Sequence, residues 1–261
     1  MELREWALQI LSSGRLEDKL FFPTELTDFS PGPALLWKEP SRALGMTFQP
    51  HSRQDRLPRP SELFQADKRA ICLHRFAGHE LLAVEIMAYA LLAFPEAPPH
   101  FRKGVAHTLK EEQDHVKRYQ KRMQELGLQF GDLPLYRGFW SYVPHLTTPL
   151  RYISAMSLTF EMANLDFAPI YSQLFAEHGD LLSSELMQGI FEDEIGHVSF
   201  GCRWLKNWKD PQHSAWETWK AHLPPRTPPS QARAPLFFSQ HRRLAGLDEE
   251  WIKNLELSAP G

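Results

Sequence analysis

Leu109-Lys110-Glu111-Glu112-Gln113-Asp114-His115-Val116 and Phe191-Glu192-Asp193-Glu194-Ile195-Gly196-His197-Val198 decide how this chain is read. Each stretch carries the tetrad Glu-x-x-His. Residues three apart on a helix share a face, so the Glu and His of each tetrad aim at one spot. A single tetrad is common by chance on a solvated helix face. Here two occur 82 positions apart, and each follows a Glu in another helical stretch. Glu80 lies 32 residues before Glu112, and Glu161 lies 33 before Glu194. Glu80 and Glu161 are 81 apart, and His115 and His197 are 82 apart, so the halves read as a degenerate repeat. No shorter period is present, which speaks against a solenoid.

Proline sets the boundaries of these helices, because an interior Pro breaks the helical ladder. Residues 1–60 hold seven prolines, 211–261 hold seven, and the 150 residues between hold the remaining seven. Residues 2–13 predict a short helix with Trp6, Leu8 and Leu11 on its packing side. Residues 21–60 predict an irregular wrap that docks through Phe21, Phe22, Leu35, Leu36 and Trp37. Long helices are expected over about 62–94 (with Ser61 as N-cap), 101–126, 150–177 and 180–208, with Gly127 and Gly179 closing the second and third and Asp180 capping the fourth. A long crossover spans 129–149. The tail predicts a short helix at 216–222, an extended proline-rich run at 224–229 and an acidic helix near 247–257. Short loop, long crossover, short loop is the connectivity of an all-α four-helix bundle built from two hairpins. The expected divisions are 1–60, 61–210 and 211–261.

Four carboxylates and two imidazoles meeting inside such a bundle form the ligand set of a dinuclear iron or manganese centre. Iron and manganese favour carboxylate oxygen and imidazole nitrogen over thiolate. In the usual arrangement Glu112 and Glu194 bridge two metal ions, Glu80 and Glu161 are terminal ligands, and His115 and His197 complete one ion each. Burying four carboxylates without cations would be very costly. Glu85 competes with Glu80 as the ligand of the first helix. His74 and His79 are read either as groups supporting the ligands or as packing against the N-terminal wrap. Asp114 and Asp193 either reach a neighbouring helix's His or are surface charge. Tyr119, one turn after His115, is a candidate radical or proton-relay group, or ordinary core.

Composition is that of a globular protein: 261 residues, 43% hydrophobic, 23% charged and a net charge of −3. That charge makes no strong case for nucleic acid or membrane. Cys72 and Cys202 form no disulfide framework and fit a reducing cytoplasm. No signal peptide is read at the N-terminus, and the apolar stretch Leu81 to Phe94 is too short to span a bilayer. No phosphate-binding Gly loop, Gly-x-Ser-x-Gly elbow or Cys-x-x-Cys motif occurs. Arg226, Arg233, Phe237, Phe238, Arg242 and Arg243 form a basic-aromatic mixture that either touches RNA or docks on its own domain.

Residues 68–208 resemble the ferritin-like superfamily, and more closely a bacterial ferritin-like family of unknown function. The residues that carry the likeness are His79-Glu80-Leu81-Leu82-Ala83-Val84-Glu85, Phe130-Gly131-Asp132-Leu133-Pro134, Phe160-Glu161-Met162-Ala163-Asn164-Leu165-Asp166 and Asp193-Glu194-Ile195-Gly196-His197-Val198. A more distant likeness is to the tRNA-hydroxylating di-iron branch. The resemblance implies a fold and a metal site but no substrate. The expectation is an oxidoreductase with two iron ions (alternatively Mn/Fe or Mn/Mn) that activates dioxygen to oxidise a small molecule or nucleoside, with an unidentified electron donor. The alternatives are a ferroxidase or peroxide-detoxifying protein, and a metal-stabilised interaction module. The proline-rich extensions favour a monomer or dimer over a ferritin cage.

Overall fold

The computed structural model describes residues 1–43, 45–49 and 56–258. The described chain is all-α apart from one pair of two-residue strands. It divides into two compact units, Met1–Val143 and Pro144–Gly261.

The first unit is organised around a helical hairpin. Helices α1 (Leu3–Ser12) and α2 (Leu16–Lys19) precede it. Its arms are α3 (Ala66–Ala93) and α4 (Pro99–Glu125). The turn between the arms contains Pro95 and Pro98, and α4 begins with Pro99 at the position where a missing N–H costs nothing. Arg102 closes the turn by donating to the carbonyls of Leu91 (2.7 Å) and Phe94 (3.1 Å) at the end of α3. Strands β1 (Phe48–Gln49) and β2 (Leu135–Tyr136) pair in parallel.

α3 starts later than Ser61 capping implies. Pro60–Glu62 forms a separate 3-10 turn, because the Glu62 carboxylate accepts from the Arg59 N–H at 2.7 Å. The helix that follows is long and apolar enough to cross a membrane by composition, but most of its apolar window is buried, and it buries Arg75, Glu80 and Glu85. That is the pattern of a core helix.

The N-terminal wrap docks through its apolar residues only in part. Phe22, Leu35 and Trp37 are half-buried, with the Phe22 ring 5.4 Å from that of Trp6, whereas Phe21 and Leu36 are exposed. Polar contacts add to these. Asp28 pairs with Arg102 in a two-bond arrangement (2.7 and 2.8 Å), and Gln113 donates to Lys19 O and Phe21 O (2.7 and 3.1 Å). Lys19 and Arg42 both reach Glu85. Part of the wrap (44 and 50–55) lies outside the described residues.

The second unit holds the other hairpin. α5 (Pro149–Ala155) runs through a π-helical turn at Met156–Phe160 into α6 (Glu161–Glu177), which turns back into α7 (Leu181–Trp208). Gly127 after α4 and Gly179 after α6 adopt φ of +86° and +77°. In each case the following N–H returns to the carbonyl five residues back (Leu128 to Met123, 3.0 Å; Asp180 to Phe175, 2.9 Å). This is the Schellman ending that Gly makes at low cost. Asp180 then caps α7 by accepting from the Ser183 N–H at 3.0 Å.

The C-terminal segment supplies α8 (Ala215–His222), α9 (Ser239–Leu244) and α10 (Glu249–Glu256). α9 is absent from the sequence reading. Its short, basic stretch has no apolar period and folds because Arg242 is buried against α6.

Candidate metal centre

In the first unit α3 supplies Glu80, and α4 supplies Glu112 and His115. All three are buried, and one ligand atom from each lies within 4.8 Å of the others. Helical spacing turns His115 toward Glu112, with Nδ1 3.3 Å from Oε2. Glu85, five positions past Glu80, is on another face. Its Oε1 is 3.0 Å from Lys19 Nζ and its Oε2 is 2.5 Å from Arg42 Nη2, in a buried ion cluster. Glu80 is therefore the α3 carboxylate in the trio.

The second unit repeats the arrangement. Glu161 is the first residue of α6, and Glu194 and His197 are one turn apart on α7; all three are buried. His197 Nδ1 is again 3.3 Å from Glu194 Oε2. Glu161 and His197 present ligand atoms within 4.8 Å of one another. Asn164, one turn after Glu161, donates to Glu194 Oε1 at 2.8 Å and fixes how that carboxylate is turned. Sequence reasoning passed over Asn164, although its i+3 relation to Glu161 was the signal that could have marked it.

The other candidates divide. Tyr119 is buried on α4, and its ring packs against Phe76 at 5.9 Å. Asp114 is half exposed and pairs with Lys117 at 3.1 Å, which makes it surface charge. Asp193 is partly buried on α7. His74 and His79 face the crossover rather than the N-terminal wrap. His74 accepts from the Gly131 N–H at 3.2 Å and packs on Phe130, and His79 packs on Phe139.

The donors suit a cation. Each trio combines carboxylate oxygen with imidazole nitrogen, and a bound cation would offset the cost of burying the carboxylates together. Burial pushes the Cys72 and Cys202 thiols up to about 12, so neither offers a thiolate at neutral pH. Oxygen and nitrogen donors without thiolate do not suit a soft ion.

Three of the tail arginines, Arg233, Arg242 and Arg243, are engaged within the second unit. Arg242 grips Asp166 through both Nη atoms and donates to Ala232 O at 3.0 Å. Arg233 donates to Glu256 O, and Arg243 pairs with Glu249 at 2.7 Å.

Fold and site together define an all-α protein with buried carboxylate–imidazole clusters able to hold metal. The chain belongs to the family described as "Protein of unknown function (DUF455)", whose model matches residues 7–253. An uncharacterized protein of Haemophilus influenzae is 25% identical over 143 residues, covering 52% of this chain and 50% of the relative. The chain thus matches about half the length of that relative. No solved structure matches.

Proposed function

We propose that the two trios are halves of one dinuclear centre of ferritin-like type, and that the protein is an oxidoreductase using dioxygen. The observation that carries this reading is their sameness. Each unit, taken alone, buries a Glu from one helix beside a Glu-x-x-His pair from the next, with an identical 3.3 Å Nδ1–Oε2 spacing. A repeated half-site is the arrangement from which a four-helix di-metal carboxylate protein is assembled.

In this reading Glu80 and His115 would hold one ion, Glu161 and His197 would hold the other, and Glu112 and Glu194 would serve both. Two iron ions, or a manganese-containing pair, would supply redox chemistry toward dioxygen when bound, with electrons drawn from an external donor and from the substrate. The protein's own part is to bind, orient and exclude water. Asn164 fixes one oxygen of Glu194, which leaves the other for metal. Tyr119, buried and one turn after His115, would be the proton- or electron-relay group in this reading. A small molecule or a nucleoside is the substrate class in this reading.

The test is metal content per chain after expression with iron and manganese, then anaerobic reduction and exposure to oxygen followed by optical absorption. Two ions per chain and an oxygen-dependent spectral change are expected. Less than half an ion per chain, with no change, overturns the proposal.

A further inference from the structure

Glu161 follows a fault in its helix. The Glu161 N–H donates to Met156 O, five residues back instead of four, which is the bond of a π turn. Such a turn holds one residue more than an α turn. Removing it would rotate every later residue by about 100° relative to those before it. The direction in which Glu161 and Asn164 point therefore depends on the turn being kept.

One side chain within the turn and one from outside it complete it. The Thr159 hydroxyl donates to Ser154 O at 2.7 Å. From α8, the buried Trp219 indole N–H reaches the same Ser154 O at 3.1 Å and the Thr159 hydroxyl at 3.3 Å. Trp219 is itself seated between Trp216 and Trp251, with centroids 5.2 and 5.3 Å away.

A second irregularity follows Glu161. Pro169 has no N–H, so Leu165 O lacks its helical donor. His241 of α9 takes that place, its Nδ1–H donating to Leu165 O at 2.7 Å. Between the two faults, Asp166 accepts from the N–H groups of Ala234 (3.0 Å) and Phe238 (2.9 Å) and from Arg242. The C-terminal segment thus meets this helix on both sides of Glu161, with polar donors placed where its backbone departs from α geometry.

We infer that the C-terminal segment is a positioning element for the metal centre: Trp219, acting with Thr159, holds the π turn that sets the register of Glu161 and Asn164, and His241 and Arg242 hold the helix beyond it. The inference rests on the metal-centre reading above. These residues are not themselves ligands in that reading; they act through the helix that carries Glu161.

The experiment uses the full chain with Thr159→Val, Trp219→Phe, and Thr159→Ser as the conservative control. Two readouts are taken: amide hydrogen exchange across Met156–Phe160 in metal-free protein, and titration with Co2+ followed by its visible absorption. Thr159→Val and Trp219→Phe are expected to keep helical circular dichroism, speed exchange at the π turn, and weaken one cobalt equivalent by about 10- to 100-fold, as lost support for a ligand does elsewhere. Thr159→Ser should behave as the unaltered protein. Unchanged exchange would show that the tail does not hold the turn, and faster exchange with unaltered cobalt binding would show that the turn does not position a ligand; either overturns the inference. If the unaltered protein takes up no cobalt, the metal-centre reading itself falls, and the positioning role with it.

Discussion

Glu80 and Glu85 lie five positions apart on α3 and are both buried, yet their surroundings give them opposite tasks. Glu85 is met by two cations, Lys19 and Arg42, and ties the N-terminal segment to the helix. Removing one partner of a buried cluster leaves the others uncompensated, so Glu85→Ala is expected to cost about 3–5 kcal/mol by urea unfolding. Metal content of the folded fraction should not change. Glu80→Ala should instead lower metal content. Sequence spacing marked Glu80 as a candidate ligand, but it gave no sign that residues 66 and 43 positions before Glu85 would reach that carboxylate. His74 yields a second prediction. Burial first, then Arg75, pushes it from its ordinary 6.5 down to about 4, with Asp132 acting weakly the other way. The unfolded chain therefore binds the proton more tightly than the folded one. Stability from neutral His74 is full above about pH 6.5 and is lost as the pH falls toward 4. By pH 5 the loss is about 2 kcal/mol. Metal-free protein should show this loss in urea titrations at pH 7 and pH 5, and His74→Gln should flatten that share of the slope. An unaltered slope in the variant would refute it.

At the scale of elements, the long helices, both Schellman glycines and the Asp180 cap were legible because each is a local signal of proline, glycine or a capping side chain. The π turn was not, because nothing in Met156-Ser157-Leu158-Thr159-Phe160 forces it. It exists through contacts from residues 43 to 65 positions away, Gly201 of α7 and Trp219 of α8. A Cβ on Gly201 would lie 2.6 Å from the Cβ of Ser157 and 2.9 Å from Leu158 Cγ. The absent side chain is what lets α7 approach the turn. Gly201→Ala is expected to cost about 1–3 kcal/mol by overpacking, although Ala is the better helix former. Thermal and urea unfolding would check the sign, and a gain in stability would mean that α7 does not approach so closely.

Over the whole molecule, the sequence repeat and the structure meet on a question of stoichiometry. If the trios were two separate mononuclear sites, each unit would keep its own ion whatever happened to the other. If they form one centre bridged by Glu112 and Glu194, a change in the first unit must release metal from the second. Metal binding stabilises whatever part of the fold it ties together, by about 2.7 kcal/mol when free metal is a hundred times the dissociation constant. Glu112→Ala is therefore expected to lose both ions, and with them the metal-dependent protection of α6 and α7 in hydrogen exchange, although no residue of the second unit has been altered. Metal-free Glu112→Ala should match the metal-free unaltered protein in α7 protection, which separates loss of metal from loss of fold. One ion retained per chain, with metal-dependent protection still present around Glu194 and His197, would assign each unit its own site and remove the bridging role from both glutamates.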